Sequence, residues 1–361
     1  MTTKRHFETF DALRFLAFLK VFLYHALVYD SPLANYLRAG AHMGVYFFFV
    51  LSGFLITYII AEEQQQTGQV NVKHFLARRF LRIWPLYYLM VAFAYLSPYI
   101  ISFLGLARSD EGYKPELAFS ISLLENYKAI IAHDAANASP LPVMWSVCVE
   151  EHFYIIWGLL LYFLGIRWLP RIIPSCVIVS LISRLLFVRF GYSTLDLLTN
   201  LDFFAAGAVP AYLLITRQER FERLINSIRP IVKWYYILLV VALVIVMPHV
   251  TSPIGDILSP TLFAVLFSAL LSMFLPQTTT FQIGGGNVLS KLGKYTYAMY
   301  LFHTVLIRLL DRIVERAGLS LSLSPMAGLF FVASLALTIL ASMVSYSLFE
   351  RPFLGLKKYF Y

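Results

Sequence analysis

The sequence predicts an all-α membrane protein, a polytopic transmembrane helical bundle of about ten spans with both termini cytoplasmic. Three observations predict it. Hydrophobic residues make up 59% of the 361 positions and charged residues only 14%. A soluble domain carries about 25% charge, so this chain lacks the polar side chains to cover itself in water. Apolar runs of about 20 residues, each long enough to cross a hydrocarbon core, recur along the whole chain. The runs are continuous rather than alternating, which argues against a membrane barrel.

Taken in order, the expected spans are 10–30, 42–61, 84–104, 146–164, 171–188, 197–215, 232–248, 256–275, 294–310 and 326–348. The first opens like a secretory signal peptide. Lys20 interrupts its apolar run and no small-residue cleavage site follows, so an uncleaved span is expected. An eleventh apolar stretch, LAFSISLLENYKAIIA at 117–132, is short and broken by Glu125, Asn126 and Lys128. Charge bias decides whether it crosses, because Lys and Arg are retained on the cytoplasmic side. With ten spans, Lys4, Arg5, the loop carrying Lys73, Arg78, Arg79 and Arg82, the basic loop 216–233 and Lys357-Lys358 all lie inside. With eleven, the densest basic loop would be translocated. The stretch 105–145 is therefore expected to be a long outer loop with an interfacial or re-entrant segment, within a single membrane domain over 1–361. The same retention accounts for the net charge of +9 without a nucleic-acid partner. Cys148 and Cys176 fall in apolar segments, and no spacing suggests a disulfide framework, a redox pair or a metal site.

Polar residues inside the apolar runs are the candidates for chemistry, since such residues are costly in a bilayer and normally face a bundle interior or a watery cavity. In RFLAFLKVFLYHALVY, eleven residues separate Arg14 from His25. On a helix the two differ by about 20° in azimuth and roughly 16 Å in rise, so they share a face, while Lys20 points elsewhere. Asp11 lies one turn before Arg14. FFFVLSGFLIT (47–57) places Ser52-Gly53 inside a span, where small residues let helices approach. RRFLRIWPLYYL (78–89) sets Arg79 and Arg82 at i, i+3 on the cytoplasmic edge before a Pro-initiated span, the Trp and Tyr reading as an interfacial belt. PVMWSVCVEEHFYIIW (142–157) places Glu150 and Glu151, with Tyr154 one turn on, just inside the outer end of the fourth span. YTYAMYLFHTVLIR buries His303, a packing or pathway residue, and SYSLFERP ends the last span on Glu350-Arg351-Pro352.

This ordered set resembles the acyltransferase-3 family of integral-membrane O-acyltransferases, from Asp11 to about Pro352. The resemblance implies about ten helices with both termini inside, which the loop charges also predict. It implies acylation of a carbohydrate, or in some members a secondary metabolite, with Arg14 and His25 in the family's Arg-x10-His pair, Arg79 and Arg82 in its Arg-x-x-Arg pair, and Glu150 and Glu151 in its Glu-Glu pair. His152 stands where the family commonly has Gln, and Asn200 weakens the match that would make Asp202 a site residue. The segment after residue 352 is shorter than the extracytoplasmic esterase-like domain fused to some members.

The expected mechanism follows from these types. Arg14, Arg79 and Arg82 would hold the phosphates of cytoplasmic acyl-CoA, acetyl-CoA by expectation, because guanidinium is a planar, permanently charged fork. His25 would take the proton of an acceptor hydroxyl, with Glu150, Glu151 and Asp11 in supporting roles. An acyl-His intermediate is the variant route. Expected partners are acyl-CoA, a carbohydrate or glycolipid acceptor and membrane lipids; expected location is the cell inner membrane. Ser52, Tyr154, Asp202, His303, Glu350 and Arg351 are further pathway candidates. The alternative is a transporter or flippase that uses the buried Arg, His and Glu as a relay. It would favour inverted repeats or paired broken helices, and the sequence displays neither.

Overall fold

A computed structural model describes residues 7–27, 32–103, 112–250, 252–276, 281–319 and 324–360. Lys4 and Arg5, expected inside, lie outside them. No strand occurs among the described residues; the chain is built from helices. In chain order α1 (Glu8–Ala26), α2 (Pro32–Arg38), α3 (His42–Thr67) and α4 (Val72–Phe103) come first. Two short helices follow, α5 (Leu117–Ile121) and α6 (Glu125–Ala132), then α7 (Leu141–Leu164) and α8 (Leu169–Arg189). The second half has α9 (Leu201–Thr216), α10 (Gln218–Ser227), α11 (Pro230–Val246), α12 (Pro253–Ser272), α13 (Val288–Gly293), α14 (Thr296–Arg316), α15 (Ser324–Ser345) and α16 (Arg351–Gly355).

Each of the ten expected spans corresponds to one long helix. Eight stretches, containing α3, α4, α7, α8, α9, α11, α12 and α15, are long and apolar enough to cross a membrane. The other two expected spans are α1 and α14, of 19 and 21 residues, long enough but rich in charge. Large apolar side chains stand exposed along α8, α11 and α15, including Ile182, Leu185, Leu238, Val241, Val332 and Leu340. In water such a surface would be strongly unfavourable, at about 25 cal/mol per Å². Against lipid tails it costs nothing, and the protein is a multi-pass membrane protein.

Three local expectations are corrected. The fourth apolar span begins at Leu141, so Glu150 and Glu151 sit mid-helix, about 14 Å from its start, rather than just inside its end. Pro85 does not initiate a span: α4 runs unbroken from Val72 to Phe103 with Pro85 and Pro98 inside it. A bilayer leaves no water to take up freed backbone groups, so the chain keeps its helix through a proline that would end one in water. Lys73, Arg78, Arg79 and Arg82 accordingly lie on a helix, not in a loop. The basic loop 216–233 likewise contains α10, amphipathic, with Phe221 and Ile225 buried and Arg220 and Arg223 exposed. The stretch 117–132 is split by Leu123, which adopts left-handed backbone at φ 58°. Neither resulting helix, of five and eight residues, is long enough to span.

The helices group into two compact units. One comprises Met1–Gly68, Ile166–Ile178 and Leu201–Thr296; the other comprises Gln69–Gly165, Val179–Asn200 and Tyr297–Tyr361. In the first, α3 and α9 cross through a pair of glycines. A Cβ on Gly53 would lie 2.0 Å from the Phe204 carbonyl oxygen, and one on Gly207 would lie 2.0 Å from that of Val50. Dispersion and helix-to-helix contact, not hydrophobic burial, hold helices together in lipid, and closeness is what glycine supplies.

Candidate functional site

The first unit carries the Arg14–His25 helix. Its amino end is pinned: Thr9 Oγ1 accepts from the Ile283 amide at 3.0 Å, and Glu8 accepts from the Gly285 amide at 2.5 Å. Gly293 lies so close that a Cβ there would meet the Asp11 carbonyl oxygen at 1.9 Å. Six residues further along α1, a Cβ on Gly44 of α3 would meet the Ala17 carbonyl oxygen at 2.4 Å. Glycines on two neighbouring segments therefore fix α1 by its backbone. On this fixed helix Arg14 donates to Asp11 Oδ1 at 2.5 Å. His25 lies in the last turn, half-buried, with its ring edge-on to Tyr24 at 4.8 Å. Lys20 is turned away to donate to the carbonyls of Leu37 and Ala39 at 2.9 and 2.6 Å. That is its role: an ammonium in an apolar helix satisfies the carbonyls at the end of α2. Ser52 sits half-buried beside the Gly53 crossing. Asp202 is buried at the start of α9, accepting from Thr261 Oγ1 at 2.7 Å and its neighbour's amide at 3.1 Å. That arrangement anchors α9 to α12 as well as any chemistry would.

The second unit brings Arg79 to the two Glu candidates, whereas Arg82 acts on Glu350 and Lys357. The indole N–H of Trp84 donates to Glu151 Oε2 at 2.8 Å, and the Tyr154 hydroxyl donates to Glu150 Oε2 at 2.7 Å. The Arg79 guanidinium stands over the Tyr154 ring at 5.7 Å and over Phe75 at 5.9 Å, and its field reaches Glu151. Glu150 is half-buried, whereas Glu151 is fully buried, and its Oε1 has no hydrogen-bond partner among the described residues. Trp84 was legible only as part of an interfacial belt; nothing in its spacing signals a carboxylate one helix away.

A basic cluster adjoins this arrangement. Lys357 stands in the combined field of Arg82, Arg79 and Arg78, and Arg78 donates to the Phe360 carbonyl at 2.5 Å. Glu350 is the carboxylate in the field of Arg82, and Ser345 donates to it at 3.5 Å. Glu350 closes a π-helical turn, Tyr346–Glu350, a geometry that concentrates at functional sites. Arg351 is exposed. The expectation included Arg79 and Arg82 but neither Arg78 nor Lys357, which read in sequence as topogenic charges. Glu350 offsets Arg82 and Glu151 offsets Arg79 in part, which leaves more basic than carboxylate side chains here, a balance suited to phosphate.

His303 is completely buried, and its Nδ1 bonds the Tyr300 carbonyl, one turn earlier on α14, at 2.7 Å. Tyr300 in turn meets Ser146 Oγ at 2.7 Å and donates to the Val143 carbonyl at 3.0 Å, tying α14 to α7. The packing role is the one these bonds describe.

Residues 7–346 match the family model described as an acyltransferase domain, of the acyltransferase-3 type. The chain is similar to the O-acetyltransferase OatA of Staphylococcus aureus strain NCTC 8325, 25% identical over 98% of this chain and 58% of the relative. It is also similar to the peptidoglycan O-acetyltransferase OatA of Listeria monocytogenes, 31% identical over 49% of this chain and 28% of the relative. A putative O-acetyltransferase of S. aureus strain COL is 22% identical over 97% of this chain and 57% of its own length. The chain thus spans less than two thirds of the length of these relatives. No solved structure matches it significantly.

Proposed function

The chain belongs to the acyltransferase-3 family, and on that premise we propose that it is a membrane O-acetyltransferase that moves an acetyl group from cytoplasmic acetyl-CoA to a hydroxyl of a carbohydrate. The names of its relatives support the reaction class, and that of the Listeria relative supports a cell-wall glycan as acceptor. The protein sits in the cell membrane with ten crossings and both termini cytoplasmic, the arrangement that keeps its basic segments inside.

The observation that carries the donor half is the convergence of Arg78, Arg79, Arg82 and Lys357. These cations hold the donor's phosphates, and Arg14 on α1 is assigned to the donor by the family's Arg-x10-His pattern alone. In the transfer step the acceptor oxygen forms a bond to the acyl carbon and the carbon–sulfur bond breaks. His25 takes the hydroxyl proton and the thiolate leaves with the donor. Imidazole suits this because its charge state changes near neutral pH. Glu150 and Glu151 supply negative charge near Arg79, with Tyr154 and Trp84 orienting one carboxylate each. Asp11 orients Arg14.

The test is purified protein in vesicles, supplied with isotope-labelled acetyl-CoA and a soluble oligosaccharide. Mass spectrometry should detect a new acetyl ester that is lost in the His25→Ala variant. Movement of intact saccharide or CoA across the vesicle with no ester formed would instead establish the flippase reading.

A further inference from the structure

The second unit contains a cavity of about 590 Å³. Its walls come from the 112–136 stretch, the first turn of α7, and the residues that follow α8. None of the residues assigned to donor binding or acyl transfer lines it. Its volume falls within the roughly 300–1,000 Å³ of small-molecule sites.

The cavity is built rather than incidental. Tyr113 is fixed at both backbone ends: its amide donates to the Ala135 carbonyl, and its carbonyl accepts from the Asn137 amide, each at 3.0 Å. Gly112 lies beside it at φ +91°, where a Cβ would meet the Ala135 oxygen at 2.3 Å. The Tyr113 hydroxyl donates to Glu125 Oε1 at 3.0 Å, and Ser120 donates to Oε2 at 2.9 Å. His133, left-handed at the end of α6, stacks on Tyr192 with centroids 5.3 Å apart. Asn126 Nδ2 reaches the Leu195 carbonyl at 3.2 Å, so the 190–197 stretch is tied to α6 from a second side.

The lining chemistry selects a ligand class. Aromatic faces from Tyr113, Trp145 and Tyr192 stand with the carboxylates of Glu125 and Asp134 and the imidazole of His133. Among the described residues no Lys or Arg lines the cavity, and Lys128, over the Tyr113 ring at 5.7 Å, is paired with Glu116. A phosphorylated donor would meet two carboxylates and no cation. Glu125 accepts from Tyr113 and Ser120, and Asp134 from the Ala135 amide, so a lipid tail would press the further accepting lone pairs of two carboxylates against hydrocarbon. A pyranose ring meets both needs, because its C–H face packs on an aromatic ring and its hydroxyls donate to carboxylates. We infer that this cavity is a binding subsite for an uncharged sugar residue of the acceptor glycan. The inference rests on the reading of the protein as a carbohydrate O-acetyltransferase, with the 105–145 stretch on the outer side.

The experiment titrates N-acetylglucosamine trimer and galacturonic acid trimer into detergent-purified protein without acetyl-CoA, followed by tryptophan fluorescence and calorimetry. The neutral trimer is expected to saturate, and the acidic one to bind at least about tenfold more weakly because of like-charge repulsion. Trp145→Ala and Tyr192→Ala should each lower affinity at least about fivefold, while Trp145→Phe, which keeps a ring, retains it. Equal binding of both trimers overturns the inference, as does unchanged affinity in Trp145→Ala or failure of neutral N-acetylglucosamine, glucose and mannose trimers to saturate. Acetyl transfer is scored separately on the same preparations. Transfer without saccharide affinity at this cavity overturns the subsite alone, whereas affinity without transfer overturns the acetyltransferase reading.

Discussion

The indole of Trp84 on α4 donates its N–H to Glu151 on α7 across 2.8 Å, inside a segment where every other oxygen contact available to that carboxylate would have to come from protein. Trp84→Phe keeps the ring and removes the donor. Leaving a buried acceptor unsatisfied costs about 1–3 kcal/mol, so thermal stability in detergent should fall accordingly. Adding Glu151→Gln should recover part of the loss, because a neutral amide is cheaper to bury than a carboxylate. A double-mutant cycle on melting temperatures measures the coupling. Strictly additive losses would mean that the bond contributes nothing of its own.

Gly53→Ala and Gly207→Ala should each disrupt folding. Their Cβ atoms would lie 2.0 Å from backbone oxygens of the opposing helix, a separation no rotamer can relieve. Overpacking of this kind costs about 1–3 kcal/mol or more. Size-exclusion profiles of detergent extracts should lose the monodisperse peak. Gly355→Ala, with nothing within 4 Å of its Cβ, is the matched control and should be silent.

His25→Ala should leave an inserted, folded protein, since the side chain is only half-buried and sits at the last turn of α1. Removal of a general base predicts a fall of at least about 100-fold in acetyl transfer. Activity within a few fold of wild type would remove His25 from the chemistry.

Arg79→Ala and Arg82→Ala should raise the apparent KM for acetyl-CoA more than they lower kcat, the signature of lost uniform binding. Lys at either position should rescue partly, because a point charge cannot reproduce the guanidinium fork. Lys357→Ala should act in the same direction and more weakly. Donor titrations at fixed acceptor give the result. An effect on acceptor KM instead would place the cluster in a different role.

Glu125, buried in the 112–136 stretch, is held above the ordinary glutamate range, chiefly by loss of solvent and against the bonds from Ser120 and Tyr113. A carboxyl raised in the folded state binds its proton more tightly there than in the unfolded chain. Its contribution is therefore present below the unfolded value and lost as pH rises through the folded one. Glu125→Gln should flatten the decline in melting temperature as pH rises above the usual glutamate range, and a parallel profile would exclude this group.

The sequence by itself determined that the chain is helical and membrane-embedded, where its ten long helices fall, and which family it belongs to. Those properties reside in local composition: a 20-residue apolar run must satisfy its own backbone in lipid, so run and helix coincide. It also placed Arg14 and His25 on one face, because both lie on one continuous helix whose period is fixed. Only the tertiary structure decided what the polar residues touch. Lys20 could not be assigned until α2 offered its carbonyls, and Trp84 looked like a belt residue until α7 brought Glu151 to it. Lys357 looked like a topogenic charge until the chain end returned to α4. Such pairings join residues 17 or more positions apart on separate segments, and no local period encodes which faces of two helices will meet. The cavity beside Tyr113 and Trp145 belongs to the same class. Its walls come from three separate stretches, and each reads alone as an ordinary loop or helix start until packing sets their aromatic rings and carboxylates around one space.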